Sequence, residues 1–152
     1  MTMDLNYHSQ KANTNDVLAH LKRCDSKFIP TLSSRLDIEN YARKISSNAQ
    51  TFEAWDNDEM VGLIAIYSNS TDRLRAFITS VSVLPGWHGK GIANQLLKNC
   101  ILSMRKLGFK YIELEVVSRN EAAVALYLKY GFTITGCNDN LQKMIADLTK
   151  EN

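Results

Sequence analysis

Apolar and polar positions along this chain follow two periods, and the switches between them outline its elements. Over Asn15–Cys24 the apolar residues Val17, Leu18 and Leu21 fall on one face at helical spacing, with Asn13 or Asn15 placed to cap the first turn. Ile38, Tyr41, Ala42 and Ile45 do the same over Asp37–Ile45. Thr51–Trp55 and Met60–Tyr67 are apolar-rich runs on either side of Asp56-Asn57-Asp58-Glu59, which predicts a hairpin. Leu74–Leu84 reads as a longer strand stopped by Pro85-Gly86. The strongest helical signal follows, where Ile92, Leu96, Leu97, Cys100, Ile101, Met104 and Leu107 share one stripe and Gly108 ends the run. Tyr111–Val117 returns to period two, with Ile112, Leu114 and Val116 on one face and Glu113, Glu115 and Val117 on the other. Glu121–Tyr130, rich in Ala and Leu, predicts a last helix closed by Gly131, and Thr133–Gly136 with Leu141–Leu148 a final strand pair. Met3–His8 predicts a short first strand, and Phe28–Leu32, around Pro30, an irregular loop. This order predicts an α/β or α+β sheet with helices on both faces.

Composition narrows the function classes. The chain has 152 residues, 45% hydrophobic and 22% charged, as expected of one globular domain spanning 1–152 with a sizeable core. A net charge of +2 without any Lys/Arg run argues against nucleic acid as a partner. Cys24, Cys100 and Cys137 are odd in number and widely spaced, which favours reduced thiols and a cytoplasmic location over a disulfide frame. The three histidines are scattered, with no H-E-x-x-H and no Cys/His cluster, so no metal is expected. Met1–Asn13 lacks the apolar segment of a signal peptide, and no run approaches the ~20 apolar residues of a membrane span.

The candidate chemistry begins at His88-Gly89-Lys90-Gly91-Ile92-Ala93, between the strand ending at Leu84 and the strongest helix. Small residues there let a backbone wrap an anion closely. A dinucleotide fingerprint counted from Gly89 would need its third glycine where Asn94 stands. A P-loop counted from Gly86 and Gly91 would need Lys and Ser or Thr where Ile92 and Ala93 stand. Taken alone, the segment also fits a plain strand–helix turn. What it does resemble is the acyl-CoA loop Gln/Arg-x-x-Gly-x-Gly/Ala of the GCN5-related N-acetyltransferase superfamily, with His88, Gly91 and Ala93 in the signature places. A second block resembles the same superfamily: Leu114-Glu115-Val116, then Asn120, Ala123, Leu126 and Tyr127, closing with Tyr130-Gly131-Phe132. His88 departs from the usual Gln or Arg, and a free imidazole gives a phosphate less charge than a guanidinium.

The resemblance covers about Met3 to Leu148 and implies a mixed, mostly antiparallel, twisted sheet of about six to seven strands with splayed central strands and helices on both faces. It implies one N-acetyltransferase domain with acetyl-CoA as co-substrate. The diphosphate would lie on the amides of His88, Gly89, Lys90, Gly91, Ile92 and Ala93 at the helix N-terminus. The pantetheine arm would lie along Val81, Ser82 and Val83, bonded to the backbone of Val81 and Val83, with Asn120 capping its helix, touching the arm, or both. The family is often dimeric, so a homodimer is a further expectation.

For the transfer itself, an ammonium must lose a proton before it attacks a thioester. Glu115 is the first candidate to relay it, twelve residues before Tyr127, a spacing similar to the glutamate and tyrosine pair of the ribosomal-protein N-terminal alanine acetyltransferases. Glu113, on the same strand face, is the second. Tyr127 would point at the coenzyme sulfur. A phenol (~10) is a weaker acid than a thiol (~8.5), so hydrogen-bond donation to developing charge comes before outright proton transfer. The acceptor side falls to Phe28–Leu32, Asp37–Ile45 and the Tyr67–Arg73 loop, none of which carries a signature. A peptide or protein amine, an amino sugar or another small amine remain open as acceptors. The rival class is a non-catalytic acyl-CoA-binding module on the same fold.

Overall fold

A computed structural model describes residues 5–150 and contains seven strands, β1 (Asn6–Ser9), β2 (Gln50–Asp56), β3 (Glu59–Tyr67), β4 (Arg75–Val83), β5 (Tyr111–Val117), β6 (Thr133–Asn138) and β7 (Leu141–Asp147). The helices are α1 (Thr14–Cys24), α2 (Ile38–Asn48), α3 (Ile92–Lys106) and α4 (Glu121–Lys129). The strands form one mixed sheet in the order β1-β2-β3-β4-β5-β7-β6, with every neighbouring pair antiparallel except β4–β5. Of the first strand predicted at Met3–His8, Met3 and Asp4 lie outside the described residues. Two short 3-10 turns, Asp25–Lys27 and Leu32–Ser34, flank the irregular loop at Phe28–Leu32, the second starting on its last residue.

The sheet buries both faces. On one, α1 and α2 press Val17, Leu21, Ala42 and Ile45 onto Trp55, Met60, Leu63 and Ala65. On the other, the α3 stripe of Ile92, Leu96, Leu97, Cys100 and Met104 packs with Ile64, Ile78, Ile112, Leu114 and Phe132. The helical and strand periods of the sequence therefore mark real core faces. Gly62 on β3 lets α3 sit close, since a Cβ there would lie 2.7 Å from Ile92 Cγ2. No described helix is long and apolar enough to cross a membrane.

β4 carries one of the sheet's register shifts. Its register against β3 shifts between Ser80↔Ala65 and Ile78↔Ile66, leaving Thr79 as an extra residue. Ala76 and Ile78 belong to the α3-side core, whereas beyond the shift Val81 and Val83 take over that side and Ser82 turns toward α1. An inserted residue reverses the alternation and bends the strand. The carbonyl of Thr79 accepts a hydrogen bond from the Tyr41 hydroxyl of α2 at 2.7 Å, which ties the bulge to that helix.

Candidate active site

β4 and β5 are sheet neighbours, yet their ladder covers only Arg75↔Tyr111, Ala76↔Ile112 and Phe77↔Glu113. Past Phe77 the two strands part, and a cavity of about 620 Å³ opens between them. That is within the ~300–1,000 Å³ of small-molecule sites. Thr79–Val83 line one wall and Glu115–Val117 the other. The N–H of Leu84 donates to Val61 of β3 at 2.9 Å, so strand alternation points the N–H and C=O of Val83 and Val81 into the gap. Backbone groups on such an edge require a partner. The Val83 carbonyl has one, accepting from His88 Nε2 at 2.8 Å. Ser82 also lines the cavity, but its hydroxyl is engaged with His20 and its backbone pairs with Leu63.

The far end of the gap is the N-terminus of α3. Helices α1, α2 and α4 each have a side-chain cap, from Asn13, Asp37 and Asn120. α3 has none, and no acidic residue in its first turn. Its N-cap is Gly91 at φ 78°, preceded by Gly89 at φ 74°, and a Cβ at either would meet nothing within 4 Å. These glycines serve the left-handed backbone, and the space in front of it is open. The first-turn amides are therefore uncapped donors at the positive end of a fifteen-residue helix. His88, Gly89, Gly91, Ile92 and Ala93 line the cavity, whereas Lys90 is exposed and lies off its lining.

The reacting groups predicted from sequence fall on opposite sides of the gap. Tyr127 of α4 is buried on the α3 side, its ring 5.7 Å from that of Phe132, and it lines the cavity. Its hydroxyl makes no hydrogen bond among the described residues, and burial pushes its pKa well above the ordinary phenol value. Asn120 lines the cavity while its Oδ1 accepts from the Ala123 amide at 3.4 Å. Glu115 faces the other side, exposed, on the cavity wall and without an ion pair among the described residues. Glu113, its rival, is held by Arg75 at 2.9 Å and does not line the cavity. Sequence reasoning did not single out Trp87, Lys27 or Arg35, all of which line the cavity, as does Tyr41 of the Asp37–Ile45 segment.

The Acetyltransferase (GNAT) family model matches residues 14–132. The chain belongs to this family. Among curated GNAT relatives, streptothricin acetyltransferase from Streptomyces lavendulae is 30% identical over 72% of this chain and 58% of its own length. N-alpha-acetyltransferase 30 from Schizosaccharomyces pombe is 31% identical over 54% of this chain and 56% of its own. The chain thus spans a little over half the length of these relatives. Among solved structures, the ribosomal-protein-S18-alanine N-acetyltransferase of Escherichia coli superposes with a TM-score of 0.76 at 19% identity, covering 97% of this chain and 96% of that one. PaiA N-acetyltransferase from Thermoplasma acidophilum, in complex with coenzyme A, gives 0.71 at 17% identity, covering 93% and 99%. The expected GNAT fold with its parted central strands is therefore the observed one.

In this GNAT chain the β4 wall is held from behind by His20 of α1. Its Nδ1–H donates to the Met60 carbonyl at 3.0 Å, and its Nε2 accepts from the Ser82 hydroxyl at 2.9 Å, with Cys24 Sγ 3.6 Å away. Burial lowers its pKa from 6.5 to about 4, despite those hydrogen bonds. The unfolded chain takes up this proton near pH 6.5, and the folded chain only near pH 4, so stability falls as pH drops through that window. At ~1.4 kcal/mol per pH unit the loss reaches about 3 kcal/mol. His20→Gln can keep both hydrogen bonds without titrating. Denaturant unfolding at about pH 7, 5.5 and 4 should give a flatter profile for the variant; an unchanged slope would place the acid sensitivity elsewhere.

Proposed function

We propose that this protein is an N-acetyltransferase that moves an acetyl group from acetyl-CoA to a primary amine by direct attack in a ternary complex. One observation carries the reading: an uncapped α3 N-terminus, the open edge of β4 and Tyr127 all border a single cavity. The fit to the coenzyme is chemical. A diphosphate suits the first-turn amides and the left-handed glycine turn, and the amides of an extended arm suit the free backbone groups of Val81 and the Val83 N–H. When bound, the coenzyme supplies a thioester, whose carbonyl carbon takes the amine and whose sulfur leaves with the electron pair.

Each residue then has a task. His88 holds the end of β4 by its bond to Val83, which keeps the strand edge and the glycine turn in register. Glu115 relays a proton off the acceptor ammonium, directly or through water. Its face of β5 is the α1/α2 side, opposite Tyr127, so the amine and the coenzyme enter the gap from different faces of the sheet. Tyr127 donates a hydrogen bond to the charge that grows as the thiol departs.

The test is thiol release from acetyl-CoA over a panel of amines. Turnover on at least one amine is expected. Binding of acetyl-CoA without turnover on any amine would instead mark a coenzyme-binding module. Glu115→Gln should lower kcat/KM roughly tenfold at neutral pH, less than the ~10²–10⁴ of an enclosed general base, because water reaches this exposed site. An unchanged rate would leave proton removal to water alone.

A further inference from the structure

The cavity continues beyond Glu115 onto the α1/α2 side, where Phe28, Leu32, Leu36 and Phe77 give it an apolar floor. The charged residues on that side are Lys27 and Arg35, from the segment joining α1 to α2, and Glu115 is the one carboxylate among the lining residues. Neither cation has a salt bridge among the described residues. The nearby carboxylates are occupied locally: Asp25 accepts from the Ser33 amide at 2.8 Å and Asp37 from the Asn40 amide at 3.1 Å, capping α2.

A primary amine arrives at neutral pH as a cation. Two cations held in no ion pair at the mouth disfavour an acceptor whose only charge is its ammonium, and a polyamine more strongly. They attract one that carries its own counter-charge. An Arg fork suits a carboxylate or a phosphate because it can offer two parallel N–H donors.

We infer that the acceptor amine bears a carboxylate or phosphate, which Arg35 and Lys27 hold while Glu115 faces the ammonium end; this rests on the acetyltransferase reading above. The apolar floor fits the carbon skeleton between the two charges. Lys27 and Arg35 are thus specificity residues and take no part in bond making.

Matched amines test it in the thiol-release assay: phenylalanine against phenylalaninamide for the carboxylate, glucosamine 6-phosphate against glucosamine for the phosphate, and spermidine as a purely cationic control. In at least one pair the anionic member should be used with kcat/KM about tenfold higher, its KM rising with salt. Arg35→Gln should cut that preference about tenfold through KM, with kcat within about twofold, and Arg35→Lys should restore part of it. Lys27→Gln should weaken it less, as a flexible point charge does. Equal or better use of the amines without an anionic group, spermidine included, or a preference untouched by both Gln variants, overturns the inference alone. Absence of thiol release with every amine overturns it together with the transferase reading.

Discussion

Tyr127→Phe is expected to lower kcat by about 100-fold while the Kd for acetyl-CoA changes by no more than about threefold. The substitution removes one oxygen. The ring stays packed on Phe132 at 5.7 Å, and no protein group loses a partner, because the hydroxyl bonds none of the described residues. Stability should therefore move by less than about 1 kcal/mol. Burial raises the tyrosine pKa further above that of a thiol. The phenol stays protonated through the working pH range, so it can donate a hydrogen bond, and full transfer of its proton to a thiolate becomes less favourable still. It follows that Tyr127 adds no limb to the pH–rate profile. Single-turnover kinetics beside a binding isotherm would read both quantities. Wild-type turnover in the variant removes the hydroxyl from the chemistry, and a loss of affinity as large as the loss of rate makes Tyr127 a binding contact only.

Much of this was legible because period and burial agree element by element. The α3 stripe from Ile92 to Met104 and the β5 alternation of Ile112, Leu114 and Val116 became the core facing that helix. The glycine turn and Tyr127 were found because their motifs sit on elements with strong local signals. What escaped was non-local. The parting of β4 from β5 begins next to the bulge at Thr79, and adjacent Thr79 and Ser80 break the alternation only slightly. With the bulge, the Ser82 hydroxyl is engaged by His20 while the residue still lines the gap. His20 itself lies on the same α1 stripe as Val17, Leu21 and Cys24, but a polar residue at a core position is invisible to a hydrophobicity count. Lys27 and Arg35 lie between two 3-10 turns or at their edges, in a stretch with no period to read.

Gly91→Asp should raise the Kd for acetyl-CoA by at least about 100-fold with Tm shifted by only a few degrees. The two effects separate because Asp suits a helix N-terminus and harms an anion site. Its Cβ would meet nothing within 4 Å, so the cost to the fold is the positive φ of 78°, about 1–2 kcal/mol for an L-residue. Against that, the carboxylate can cap first-turn amides that no side chain caps in the parent chain, a gain of about 1 kcal/mol. The same carboxylate then occupies the donors a diphosphate needs and repels it. Gly91→Ala brings the strain without the charge, so it should lower Tm by roughly 2–8 °C and weaken binding only a few-fold. The contrast between the two variants isolates electrostatics from backbone shape. Equal losses of binding in Ala and Asp would mean that the turn geometry alone holds the coenzyme, and wild-type binding by the Asp variant would mean that the diphosphate does not lie at α3.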